Sequence, residues 1–203
     1  MQHRLSIVIV VLLITAVGGV APTVQARTKL NGTYAFTSVR TCTQTLTNAP
    51  FTADASGAPT VIPTGGVLRE EAVDSGVTTF NADGTGTTTS TGRTMNLSNF
   101  TIGGSIFSVS ESSDTFTYTV NADDTVDLSI GEVKFKTVLG TGTGNTGTVS
   151  PRSARLQVGD GANTLVSAPR TEIEQETIVF NLANDGSITR YRICTRSSTL
   201  VKM

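Results

Sequence analysis

Histidine and tryptophan are almost missing from this chain. Of 203 residues one is histidine and none is tryptophan. The histidine is His3, near the start, and none follows it. A Ser-His-Asp triad, a Cys-His pair or a histidine metal site therefore has no histidine to draw on in the body of the chain. Cysteine is scarce as well: Cys42 and Cys194 are the only two, too few for a cysteine zinc site. Charged residues make up 15% of the chain, and 15 basic against 16 acidic side chains nearly cancel. That balance gives no electrostatic reason to expect nucleic acid or an anionic membrane surface as a partner. Leu, Lys and Glu are few, which disfavours long helices; threonine, serine and glycine dominate instead and suit strands joined by tight turns.

The one long apolar run lies at the N-terminus. His3 and Arg4 precede an unbroken stretch from Ile7 to Ile14, and Val24-Gln25-Ala26 places small residues at signal-peptidase spacing. The run falls short of the ~20 residues of a spanning helix, so residues 1–26 read as a cleavable export signal and 27–203 as one domain. No integral membrane segment is expected in the mature chain, and the expected location is secreted or periplasmic. In an exported domain two cysteines are expected to pair, so Cys42 and Cys194 are the predicted disulfide.

Beyond the signal, alternation is the clearest pattern. Phe116, Tyr118 and Val120 share one strand face against Thr115, Thr117 and Thr119, and after a polar turn Val126, Leu128 and Ile130 repeat the pattern. This is the mark of a half-buried antiparallel hairpin. The turn recurs: Asn81-Ala82-Asp83-Gly84-Thr85 matches Asn121-Ala122-Asp123-Asp124-Thr125, and a third version follows Val179-Phe180-Asn181. In that third hairpin a two-residue Asp185-Gly186 loop would set Phe180 opposite Tyr191 and Ile178 opposite Ile193, with a longer loop as the alternative. Further strands are expected at 33–42, 100–110, 131–138, 155–158 and 164–167. Composition makes 47–66 and 140–150 mobile loops, and 68–73 reads equally as helix or strand. The sum is an all-β chain of about 8–10 antiparallel strands: an up-and-down β-barrel, with a β-sandwich as the alternative. An outer-membrane barrel would need lipid-facing apolar residues and aromatic girdles where this chain has Thr, Ser and Asp.

Leu30-Asn31-Gly32-Thr33-Tyr34-Ala35-Phe36, Thr79-Phe80-Asn81-Ala82-Asp83-Gly84-Thr85-Gly86 and Tyr118-Thr119-Val120-Asn121 resemble a group of uncharacterised secreted bacterial proteins. Those are similar in layout to lipocalin and calycin barrels. Gly32-Thr33-Tyr34 stands where a lipocalin carries Gly-x-Trp, with Tyr34 in place of the Trp. The resemblance implies a barrel and carries no catalytic residues.

Chemistry in the sequence is sparse. Glu172, Glu174 and Glu176 alternate along one strand, about 7 Å apart. Such a row reads as a solvated face, or as partners for Arg190, Arg192 and Arg196 on the adjacent strand; a general acid-base pair is the rarer meaning. Asn81–Gly84 and Asn121–Asp124 lack the glutamate of a calcium loop, and turn chemistry accounts for both. The glycine-rich 140–147 stretch lacks the ending of a phosphate loop. No catalytic residue, metal ligand or cofactor is assigned. Three readings of function remain. A binding module would enclose a small hydrophobic molecule, with Tyr34, Phe36, Phe116, Tyr118, Phe180 and Tyr191 as interior residues. A cyclase- or isomerase-type enzyme would need a buried, perturbed carboxylate or tyrosine in the cavity. A surface or matrix protein would act through its Thr-rich exterior.

Overall fold

The alternating segments fold into one antiparallel sheet. The computed structural model describes residues 30–97, 107–168, 174–183 and 186–203. Within them lie β1 (Gly32–Thr45), β2 (Val67–Phe80), β3 (Thr85–Asn96), β4 (Phe107–Val120), β5 (Thr125–Ile130), β6 (Val133–Gly140), β7 (Thr146–Val149), β8 (Arg152–Val158), β9 (Thr164–Ser167), β10 (Gln175–Asn181) and β11 (Ser187–Lys202). The expected export signal, the start of the strand expected at 100–110, Glu172, and Asn184 and Asp185 of the third turn lie outside the described residues.

Several of the eleven strands are halves of longer ones. β4 pairs with β6 along Ser108–Ser113 and with β5 along Phe116–Val120. β5 and β6 also keep a common register against β8 and β7, since Ile130 faces Arg152 and Val133 faces Val149. They therefore form one long strand broken at Gly131-Glu132, and β7 and β8 form its neighbour, broken at Ser150-Pro151. β9 and β10 divide the length of β11 between them. β1 pairs with β2 on one side and β11 on the other, the latter over eleven residue pairs from Tyr34↔Lys202 to Gln44↔Arg192. These pairings bend the sheet into a partial ring.

The hairpin turns explain themselves locally. In the β2–β3 turn Asp83 accepts hydrogen bonds from the Thr85 N–H at 2.9 Å and hydroxyl at 2.7 Å, and Asn81 donates to the Thr85 hydroxyl at 3.0 Å. Asn121, Asp123 and Thr125 repeat these bonds between β4 and β5, at 2.9, 3.1 and 2.6 Å. The last loop residue has φ 91° at Gly84 and φ 66° at Asp124, a region glycine and, less readily, aspartate enter.

Residues 68–73, which read equally as helix or strand, are strand, part of β2. Residues 146–149, expected in a loop, form β7, because Gly147 lies flat beneath the Phe135 ring and Val149 is buried. The third hairpin has a longer loop than Asp185-Gly186 alone: Phe180 faces Ile188, Ile178 faces Arg190, and Tyr191 faces Thr177. The register moves by three residues, and an odd shift turns Tyr191 onto the face opposite Phe180. The 47–66 connection has its own order: Phe51 is buried, its N–H donates to Gln175 Oε1 at 2.8 Å, and Asp54 caps a turn through Ser56 and Thr60.

The main core fills one end of the ring. Phe80 meets Tyr34, Phe116 and Tyr118 edge-on with ring centroids 5.1–5.3 Å apart, geometry that adds about 0.5–1.5 kcal/mol per pair to area burial. The Tyr34 hydroxyl donates to the Ala162 carbonyl at 2.7 Å, and the Tyr118 hydroxyl is shared between the carbonyls of Leu30 and Asn81. Cys42 and Cys194, directly opposite each other on β1 and β11, are joined as a disulfide.

Candidate ligand cavity

Beyond the aromatic layer the inward face changes character. The residues that β1, β2 and β11 turn inward after Tyr34, Phe80 and Leu200 are Ser38, Arg40, Glu70, Asp74, Arg192 and Arg196. Together with residues of β3–β8 and β10 they line a partly open cavity of about 470 Å³. It runs from Phe116, Leu128 and Leu200 beside the main core to strand ends at Gln44, Leu68 and Asn96. Its three walls differ. One is apolar, with Ile130, Phe135, Ile178 and Phe180. A second carries hydroxyls from β2, β3, β4 and β6. The third is charged, drawn from β1, β2, β4, β8 and β11.

The charged wall is organised around Glu176 on β10, which is 2% exposed. Arg192 Nε donates to its Oε2 at 2.7 Å, Arg196 Nη2 stands 2.5 Å from Oε1, and Arg152 Nε stands 3.8 Å from the same oxygen. Arg192 also donates to Glu70 at 3.1 Å. Burial alone would raise the Glu176 carboxyl, but Arg192, Arg196 and Arg152 override it and hold the group down at about 2. Burial opposes the charge on Arg192 too, yet Glu176 and Glu70 outweigh it and raise that guanidinium. Arg40 and Arg196 are both lowered to about 10, chiefly by burial, with neighbouring arginines adding to the effect. The pairing of Glu176 with Arg192 and Arg196 matches the sequence expectation; its placement inside the ring, away from solvent, does not.

The four arginines are not equally engaged. Arg192 is fixed by two short hydrogen bonds. Arg40 is held loosely: its Nε is 3.6 Å from Asp74 and its Nη2 is 3.4 Å from the Thr94 hydroxyl. Arg152, also on the cavity wall, approaches Glu176 only beyond hydrogen-bond length. Asp114 completes the group, and burial pushes its carboxyl up against the opposing effects of Arg152 and Thr88. On the hydroxyl wall Ser90 and Ser112 are hydrogen-bonded at 2.7 Å, Thr78 and Thr88 at 3.4 Å, and Ser110 and Thr137 at 3.3 Å.

Of the six residues expected inside, Phe36, Phe116 and Phe180 line the cavity. Tyr34 and Tyr118 are packed in the main core with their hydroxyls bonded to backbone, and burial raises both phenols. Tyr191 does not face the cavity. Sequence reasoning missed Arg40, Asp74, Asp114 and Arg152. A signal existed for all four: Arg40, Asp74, Asp114 and Arg152 have the parity of inward Phe36, Phe80, Phe116 and Leu156 on their strands. Among the described residues, no group of three or more His, Cys, Asp or Glu is placed to hold a metal ion, and no helix is long and apolar enough to cross a membrane.

No known protein family, curated protein or solved structure matches this chain.

Proposed function

We propose that this protein is an exported small-molecule binding module whose ligand occupies the cavity between the aromatic core and the strand ends. In this reading the eight long strands, β5–β6, β7–β8 and β9–β10 each counted as one, make an up-and-down barrel closed by the β1–β11 seam. Its layout is that of the lipocalin-like barrels. The observation that carries the proposal is the cavity: about 470 Å³ falls within the usual range for small-molecule sites, and convergent polar groups face an apolar wall. Export is supported by the N-terminal segment and by the Cys42–Cys194 disulfide, which suits an oxidising compartment.

Native mass spectrometry of the protein purified from its own host tests the proposal. The expected result is a co-purifying small organic mass, lost when Ser112→Phe fills the cavity. Bare chain mass in both proteins would overturn it. A second reading, an enzyme of the isomerase type, is favoured by one observation, the Asp114 carboxyl raised by burial on the cavity wall.

A further inference from the structure

The ligand's chemistry follows from what the walls leave unmet, and this step rests on the binding reading above. We propose that the cavity takes an organic acid with one anionic carboxylate, hydroxyl substituents and an apolar face, its carboxylate held by Arg152 and Arg40.

Three observations support the assignment. The first is the inequality among the arginines. A guanidinium has five N–H donors in a rigid fork suited to a carboxylate. Arg192 directs its donors at Glu176 and Glu70 at 2.7 and 3.1 Å, so its fork is occupied. Arg152 stands 3.8 Å from its carboxylate partner and Arg40 stands 3.6 Å from its own. Both lie on the cavity wall with donors to spare, and the Arg40 Nε is buried without a hydrogen-bond partner. Burying a charged donor without a short acceptor is costly, and an incoming carboxylate supplies that acceptor.

Charge is the second. Four guanidiniums, of Arg40, Arg152, Arg192 and Arg196, face four carboxyls, of Glu70, Asp74, Asp114 and Glu176. Glu176 is firmly ionised, whereas burial pushes Asp114 towards its neutral form. Burial opposes the charge on Asp114, so the cluster favours an incoming anion over a cation. Asp114 Oδ1 is itself buried without a partner.

The third is the contrast between the other two walls. Each hydroxyl of the Thr78–Thr88, Ser90–Ser112 and Ser110–Thr137 pairs has one donor and two acceptor sites, so each pair keeps capacity for a ligand hydroxyl. Two of the three pairs are long, at 3.3 and 3.4 Å, and their hydroxyls can turn towards a better partner. Ile130, Phe135, Ile178 and Phe180 offer nothing but apolar contact. A plain hydrocarbon acid would leave the hydroxyl wall unused, and a bare sugar acid would leave the apolar wall wet.

Three probes of one shape separate these contributions: 3,4-dihydroxycinnamate, its neutral methyl ester, and cinnamate without the hydroxyls. Titration calorimetry at pH 7 is expected to rank the dihydroxy acid tightest, with the ester weaker by about tenfold or more, the scale of one charge-assisted hydrogen bond. Arg152→Gln is expected to bring acid and ester within about threefold of each other, with Arg40→Gln as an independent second variant. An ester that binds as well as the acid would overturn the carboxylate assignment and leave the binding reading standing. Cinnamate equal to the dihydroxy acid would overturn the role of the hydroxyl wall. No binding of any probe would overturn this assignment, and the native mass then decides separately whether the binding reading falls with it.

Discussion

Replacing Glu176 by glutamine keeps the side chain's shape and removes its charge at the centre of the arginine cluster. Three guanidiniums surround it: Arg196 at 2.5 Å, Arg192 at 2.7 Å and Arg152 at 3.8 Å. The structure holds this carboxyl at about 2, against an ordinary 4.5. At 1.36 kcal/mol per unit, the charged form is favoured in the folded protein by about 3 kcal/mol. Removing one partner from a buried ion pair costs about 3–5 kcal/mol in other proteins, so two independent arguments give the same scale. The pH dependence has a definite sign. A carboxyl whose folded value is depressed contributes fully above its unfolded value near 4.5, and the contribution disappears as pH falls through about 2. The gap in stability between wild type and Glu176→Gln is therefore expected to be about 3 kcal/mol at pH 7 and to narrow steadily below about pH 4.5.

Urea denaturation followed by far-UV circular dichroism, with the disulfide intact, measures this gap; the chain has no tryptophan to report by fluorescence, and urea does not screen charge. Asp127→Asn is the control. Its bidentate contact with Arg155, at 2.6 and 3.1 Å, is geometrically as good, but both side chains are nearly half exposed. Water reduces such a pair to about 1 kcal/mol or less. A Glu176→Gln gap below about 1 kcal/mol at pH 7, or one unchanged at pH 3, would refute the reasoning.

The disulfide and the glycine–aromatic contacts give two more expectations. Cys42 and Cys194 are separated by 152 residues, and chain entropy gives such a bridge about 5 kcal/mol. The double variant Cys42→Ala/Cys194→Ala is expected to keep its far-UV spectrum, because ten other residue pairs remain in register along the same β1–β11 seam, and to unfold at markedly lower urea; a variant as stable as wild type would show that pairing alone closes the ring. At Gly86 a Cβ would fall within the Phe116 ring, so Gly86→Ala is expected to cost about 1–3 kcal/mol, partly recovered by adding Phe116→Leu. Strictly additive losses in thermal denaturation would count against that contact.

How far the sequence reveals the fold depends on what each strand turns inward. β4 and β5 are plain because Phe116, Tyr118, Val126 and Leu128 are buried while Thr115, Thr117 and Thr119 are exposed. The recurrent Asn-Ala-Asp turns were plain for a similar reason, since each makes its own hydrogen bonds. β7 was hidden because its inward residues are Gly147 and Val149, and only the position of Phe135 explains why a glycine is needed there. The register of the third hairpin stays open in the sequence because loop length sets register, and a two-residue and a longer loop both fit the Asp-Gly signal. In each case the missing information was non-local.

β2 shows why the cavity was the least legible part. Its buried or cavity-facing residues are Glu70, Ala72, Asp74, Thr78 and Phe80, while Val73 and Val77 are exposed. Period-two alternation is present, but its hydrophobic phase is inverted over most of the strand. Val39 on β1, directly opposite Val73, is 51% exposed while Arg40 beside it faces the cavity. Hydrophobic patterning identifies the inward face only when the interior is apolar. Around a polar cavity it identifies a strand and misassigns its faces. The parity of a neighbouring unambiguous residue corrects this: counting by twos from Tyr34 and Phe36 reaches Ser38, Arg40, Cys42 and Gln44, and from Phe80 it reaches Thr78, Asp74 and Glu70. The same count from Leu200 on β11 passes Ser198, Arg196, Cys194 and Arg192. The disulfide expected from composition thus carried a second message. Cys42 and Cys194 share the parity of the arginines and glutamates around them, so a buried bridge places that charged set inside the ring as well.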